Sequence, residues 1–288
     1  MKTDLLRLRT LSLVAFVGLA VAAPAQGPHR FQPGFNLFSK QQDVQLGQEN
    51  AAQVRKQMTV IQDPVLTAYV TKVGKRLVAS QEAQGSGFPF SFEVVADPSI
   101  NAFALPGGPM FINTGLLRAV DNEAQLAGVM GHEMSHVILR HGTNQASKAN
   151  LIQIPAALAA AAAGKGTLGS QLAQLGIGFT AGGVLRKFSR NAETQADLMG
   201  SHLMAEGGYD PNEMARFFDK LTAQGGSGNS SLAQFFSDHP NPGNREQAIQ
   251  REARLLPQQR YGYQTGDFKR MKDAVAKIKE PKPKQPTQ

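Results

Sequence analysis

Two histidines four residues apart with a glutamate after the first, His132-Glu133-Met134-Ser135-His136, restrict what this chain can fold into more than any other feature. Residues four apart on an α-helix share a face about one turn apart, so a helix here lets His132 and His136 hold one metal ion. Glu133 lies beside them, where a carboxylate can take a proton from a water on that metal. With 6 histidines among 288 residues, chance supplies about 0.005 matches to the pattern. Ala124, Leu126, Ala127, Val129, Met130, Val137, Ile138 and Leu139 give the segment the apolar, helix-compatible surroundings of a buried helix. Asn122 and Gln125 have capping-box spacing, which starts the helix just before the motif.

Catalytic zinc usually takes three protein ligands and keeps one position for water. The metzincin pattern would need a glycine and then a histidine where Leu139 and Gly142 stand, so it is excluded. On a continuous helix His141 lies about 140° round from His136 and points away. It reads as a polar residue near a helix end that Gly142 terminates. The third ligand is expected in a second helix, Phe188 to Glu206, stopped by Gly207-Gly208. There Glu193 and Asp197 share a face, so Glu193 can bind zinc while Asp197 accepts from the free ring nitrogen of a ligating histidine.

These residues carry a resemblance. Gly131-His132-Glu133 through Arg140-His141, Glu193-Thr194-Gln195-Ala196-Asp197, and His239-Pro240 with Arg245 resemble the peptidase family of the CAAX prenyl endopeptidases and their soluble relatives. Asn101 to Gly108, followed by Asn113-Thr114-Gly115-Leu116, is similar to the segment before the zinc helix in that family. The resemblance runs from about Ser39 to about Arg254 and is strongest to the soluble periplasmic BepA-type proteases. Those can carry tetratricopeptide repeats, whereas residues 255–288 equal about one repeat length. The resemblance implies a zincin-like fold with one Zn(2+) per chain, and a loop at His239 that borders the site. His239 would either donate to the developing oxyanion or close the open zinc position and hold the enzyme latent. Arg245 would anchor the loop or assist the oxyanion. His29 and His202 show no partner pattern and read as structural.

Residues 1–25 have the layout of a secretory signal: Lys2, Arg7 and Arg9, an apolar run from Leu11 to Ala23, then Ala23-Pro24-Ala25. The run is short for a bilayer span of about 20 residues, which favours a cleaved signal and a periplasmic protein over an anchored one. No cysteine is present, which excludes attachment of a lipid to an N-terminal cysteine. The formal charge of +8 is concentrated at the two ends, leaving 26–253 formally neutral. Nothing in that pattern suits nucleic acid. The segment 257–288, rich in Lys and Pro, is expected to be a disordered tail, with contact to anionic lipid of the outer membrane as its functional alternative.

The mature length fits one domain, 26–256. Helices are expected near 39–59, 64–80, 211–224 and 242–256, besides the two carrying the motifs. Phe90–Ala96, Asn101–Leu105 and Met110–Asn113 read as strands, and Pro106-Gly107-Gly108-Pro109 as a turn. The expected class is α+β, helix-dominated, with one small antiparallel sheet. Asn101, Ala102, Phe103 and Ala104 are the candidate edge strand along which a substrate would add as a further strand, with Phe103 facing the core. The Ala/Gly-rich stretch 155–184, split by Lys165-Gly166, reads as a packed helical hairpin or as a flap or membrane-facing patch.

The function expected from these readings is a zinc endopeptidase, and the resemblance implies misfolded or unassembled envelope proteins as its substrates, a role in protein quality control. The alternative is a chaperone-like peptide-binding protein that cuts rarely. The intact Glu133 favours the first.

Overall fold

The structure, a computed structural model, describes residues 27–174, 188–225, 235–236, 239–240 and 243–280. The expected signal segment and residues 175–184 of the Ala/Gly-rich stretch lie outside these. Helix α1 (Lys40–Gln57) starts at a Ser39–Gln42 capping box, and α2 (Pro64–Val78) at Asp63, whose carboxylate accepts from the Val65 and Leu66 N–H groups. After α3 (Gln81–Ser86) come β1 (Ser91–Val95), β2 (Ala102–Ala104) and β3 (Pro109–Asn113). Helices α4 (Thr114–Ala119), α5 (Glu123–Ile138), α6 (His141–Ala149), α7 (Gln153–Ala162) and α8 (Leu168–Gln174) follow. The described chain continues through α9 (Arg190–Glu206), α10 (Asn212–Gly225), α11 (Arg245–Leu255) and α12 (Phe268–Val275). The class is α+β and helix-dominated, as the sequence implies.

The sheet is mixed rather than antiparallel. Its order is β1-β3-β2. β2 and β3 form the expected hairpin, with Phe103 opposite Phe111, but β1 runs parallel to β3, with Val94 opposite Ile112. The connection after β1 carries the chain past the central position, which β3 then fills. All five β3 residues are buried, as suits a strand with neighbours on both sides and covered faces. β2 is left at the edge. Its Phe103 is partly buried and stacks on Phe111 at 5.3 Å, while Ala102 and Ala104 face the main core.

That core joins Leu66, Val70 and Leu77 of α2 to Leu126 and Met130 of α5, Leu203 of α9 and Phe217 of α10. Helices α5 and α9 cross where both lack side chains. A Cβ on Gly200 would stand 3.1 Å from the His132 backbone nitrogen, and one on Gly131 3.3 Å from the Gly200 carbonyl oxygen. Larger residues would wedge the helices apart, and with them His132 and Glu193. The described part of the Ala/Gly-rich stretch forms the α7–α8 hairpin, turned at Gly164 (φ 74°). It packs Ile154, Leu168 and Leu172 with Phe38 and Leu46.

The expectation of a disordered tail from 257 is corrected for residues 257–280. α12 buries Met271 and Val275 in the main core, and the Lys272 ammonium donates to the carbonyls of Leu117, Arg118 and Val120. Arg118 pairs with Glu280. Composition hid this because few apolar residues are needed when they recur one helical turn apart on one face. No described helix is long and apolar enough to cross a membrane.

Candidate metal centre

Asn122 caps α5 by accepting from the Gln125 N–H at 3.0 Å, and the helix then runs buried through the motif. Ser189 caps α9 by accepting from the Ala192 N–H. The crossing at Gly131 and Gly200 sets the two motif faces against each other. Ligand atoms of His132, His136, Glu193 and His239 all lie within 4.8 Å of one another, and all four residues are buried. His132 Nε2 is 3.1 Å from His136 Nε2, 3.3 Å from Glu193 Oε2 and 3.3 Å from His239 Nδ1. His239 Nδ1 is 3.2 Å, and His136 Nε2 3.5 Å, from Glu193 Oε1. A tetrahedral ion with ligand bonds of about 2.0–2.1 Å has edges of about 3.3 Å. The four donors therefore fit a metal of that kind.

The charges fit too. Glu133, Glu193 and Asp197 are buried with one guanidinium, that of Arg245, so the centre favours a cation. Burial opposes protonation of His132, yet Asp197 and Glu193 raise its pKa to about 9. Burial works against the Glu193 carboxylate as well, but His239 and His132 hold it ionised far below its usual range. Burial pushes Glu133 up and His136 well down. Glu133 Oε1 has no hydrogen-bond partner and sits 3.3 Å from His239 Nε2. The same carboxylate takes a hydrogen bond from the Ala104 backbone N–H, which places the β2 edge beside it.

Behind the donors, Asp197 Oδ1 lies 2.9 Å from His132 Nδ1. Arg245, expected to hold the loop or help the oxyanion, instead directs Nε and Nη2 at Asp197 (2.7 and 2.8 Å) and Nη2 at Glu193 (3.4 Å). Its guanidinium lies 3.7 Å over the Phe218 ring. Buried beside the ligands, it braces Asp197 and Glu193. His239 is held by its backbone N–H donating to the Phe235 carbonyl at 2.8 Å, with the two rings 5.3 Å apart.

Two residues escaped the sequence reading. His141 does not point away from the site. α5 ends at Ile138, Arg140 adopts a left-handed φ of 57°, and α6 restarts at His141. The angular argument assumed one continuous helix; the break turns the His141 ring back onto His136, Nδ1 to Nδ1 at 2.9 Å. Phe188 stacks on the His136 ring at 4.0 Å and 21°. A non-glycine residue in that conformation leaves no clear sequence signal, although Arg140 is pinned there by Asp43 Oδ2 at 2.6 Å. His29 and His202 do have partners: both reach Glu252, and His202 also Glu82.

The model of peptidase family M48 matches residues 64–253, which contain all four donors and Glu133. The chain is 34% identical over 250 residues, 81% of its own length, to the beta-barrel assembly-enhancing protease of Escherichia coli (strain K12), and covers 50% of that protein. It is 33% identical over 201 residues, 70% of its length, to the mitochondrial metalloendopeptidase OMA1 of Schizosaccharomyces pombe, covering 56% of it. A similar protease of Vibrio cholerae, named as a putative one, matches at 32% over 222 residues, 75% of this chain and 45% of that protein. The chain thus spans about half the length of the curated relatives it matches. The chain belongs to peptidase family M48.

Proposed function

We propose that this protein is a zinc endopeptidase of the bacterial periplasm that hydrolyses misfolded or unassembled envelope proteins. One observation carries the reading: a buried tetrahedral set of donors with the Glu133 carboxylate, one oxygen unpaired, directly beside it. His132, His136 and Glu193 would hold the ion, with His239 in the fourth position. Zinc bound there supplies a Lewis acid and lowers the pKa of water near it to about 7. Glu133 takes the proton of the attacking water at Oε1 and hands it to the leaving amine. Asp197 accepts from His132 Nδ1, fixing the tautomer that turns Nε2 to the ion, and Arg245 neutralises Asp197. The substrate backbone adds along Asn101 to Ala104, where the Ala104 N–H already points at Glu133.

His239 must leave its place for water to enter, so the resting enzyme is latent. An outer-membrane location, through contact with anionic lipid, belongs to the same proposal and is supported by the basic C-terminal end. The chaperone-like reading is disfavoured because a pure binding module has no use for a buried carboxylate with one oxygen lacking a hydrogen bond beside the donors.

The test is metal content and cleavage of an unfolded protein by wild type, Glu133→Gln and Glu193→Ala. Glu133→Gln keeps the metal and loses most proteolysis; Glu193→Ala loses the metal. Equal cleavage by wild type and Glu133→Gln rejects the mechanism. A Glu193→Ala protein with wild-type metal affinity moves the third ligand elsewhere.

A further inference from the structure

Beside the candidate metal centre a groove of about 460 Å³ runs along α6, lined by His141, Gln145, Lys148, Ala149, Phe188 and Ala192, among others. This is within the range of about 300–1,000 Å³ in which proteins enclose ligands. The groove borders the centre across one layer of side chains, since His141 and Phe188, which line it, both contact the His136 ring. No Asp or Glu occurs between Met134 and Ala192, and among the described lining residues Lys148 is the only side chain with a permanent charge. Just past the far end, Leu151 is 54% exposed and Ile152 90%. These two aliphatic side chains follow the lining residue Ala149 by two and three residues and form a small apolar surface at that end.

Resting on the endopeptidase reading, we propose that this groove is the track for one arm of the substrate. Lys148 pairs with an acidic side chain, and Leu151 and Ile152 take an apolar residue that a folded protein would have buried. The occupant is an unfolded polypeptide. Its spacing follows from geometry. From His141 to Ala149, the last residue of α6, is eight residues, about 12 Å at 1.5 Å per helical residue, with Leu151 in the turn just beyond, so an extended chain reaches it in about four or five residues at 3.3 Å each. The surface therefore reads a residue four or five positions from the cut, which biases the enzyme towards chains exposing apolar segments.

The experiment uses the full chain carrying Glu133→Gln, loaded with zinc, and fluorescein-labelled peptides followed by anisotropy. In one peptide series a Leu-Val pair is moved from two to eight residues from a common central site. Affinity is expected to peak with the pair four or five residues away. The peak falls about tenfold when Leu151→Ser and Ile152→Ser are added, the scale expected for losing partial burial of two aliphatic side chains. Replacing a glutamate in the peptide by lysine weakens binding about threefold to tenfold, and Lys148→Glu reverses that preference, as for a partly exposed ion pair. A flat positional profile, or unchanged affinity in both variants, overturns the proposal. So does an effect of the substitutions confined to anionic vesicles or to self-association, which would assign the surface to lipid or to a second copy. If neither the zinc-loaded wild type nor a zinc-loaded His239→Ala chain cleaves any of the peptides, the endopeptidase reading fails while anisotropy still judges the groove.

Discussion

His141 Nδ1 lies 2.9 Å from His136 Nδ1, and His141 Nε2 lies 3.1 Å from Gln195 Oε1. The Gln195 oxygen can only accept, so His141 carries its proton on Nε2. Burial lowers the His141 pKa to about 4, against the Gln195 hydrogen bond, so the ring is neutral and its Nδ1 accepts. His136 must then donate from Nδ1, which leaves its Nε2 lone pair facing the other ligands. Removing the acceptor by His141→Ala should weaken metal binding about 10–100-fold. His141→Gln, which restores an accepting oxygen, should recover part of it. Competition against a chelating dye measures both; undiminished affinity in His141→Ala would show the contact to be mere packing.

The place of His239 among the donors gives a prediction whose sign separates two mechanisms. If it closes the fourth position, His239→Ala raises basal proteolysis at matched metal occupancy, because water gains access. If the imidazole instead stabilises the oxyanion, the same change lowers turnover, as losing such a donor costs about 2.7–4 kcal/mol. Its 3.2 Å and 3.3 Å approaches to Glu193 and His132 favour the rise. Initial rates on an unfolded protein decide, and a clear drop rejects the latch.

The docked end of the chain should matter for stability. Met271 is fully buried against the main core, so Met271→Ala is expected to cost about 2–5 kcal/mol. Lys269→Ala, at a side chain 89% exposed, should cost almost nothing. Urea melts of the two variants test this. Equal midpoints would mean that α12 is not part of the cooperative unit.

Stability should also depend on pH through His202. Burial opposes its charge, but Glu252 of α11 and Glu82 of α3 outweigh that and lift its pKa from 6.5 to about 9. His29 also reaches this cluster, and Glu206 at the end of α9 faces it. Because the folded pKa is the higher one, the histidine's contribution is complete below 6.5 and is lost as pH rises through about 9. Glu82 and Glu252 are held below 4.5, so theirs is present above that value and lost as pH falls through the lowered pKas. Melting temperature should therefore decline from pH 6.5 to 9.5 in wild type, and less steeply in His202→Gln. Parallel curves would remove His202 from the account.

Much of this site was legible in the chain because it is local. One helical turn separates His132 from His136 and Glu193 from Asp197, so spacing alone put each pair on one face. Capping-box spacing at Asn122 and Gln125 likewise located the start of α5. Tertiary structure decided what depends on distant segments meeting. The Gly131–Gly200 contact fixes how closely the two motif helices approach, and no periodicity announces it. Strand order followed from which strand could be buried on all sides, so β3 took the centre and the sheet became mixed. The left-handed Arg140, stabilised by Asp43 from α1, broke the helix and turned His141 into a partner of His136. The docking of α12 rests on two apolar side chains finding a gap between α2 and α4, which composition averages away. Short-range spacing is written in the sequence; these long-range contacts exist only once the chain has closed around its core.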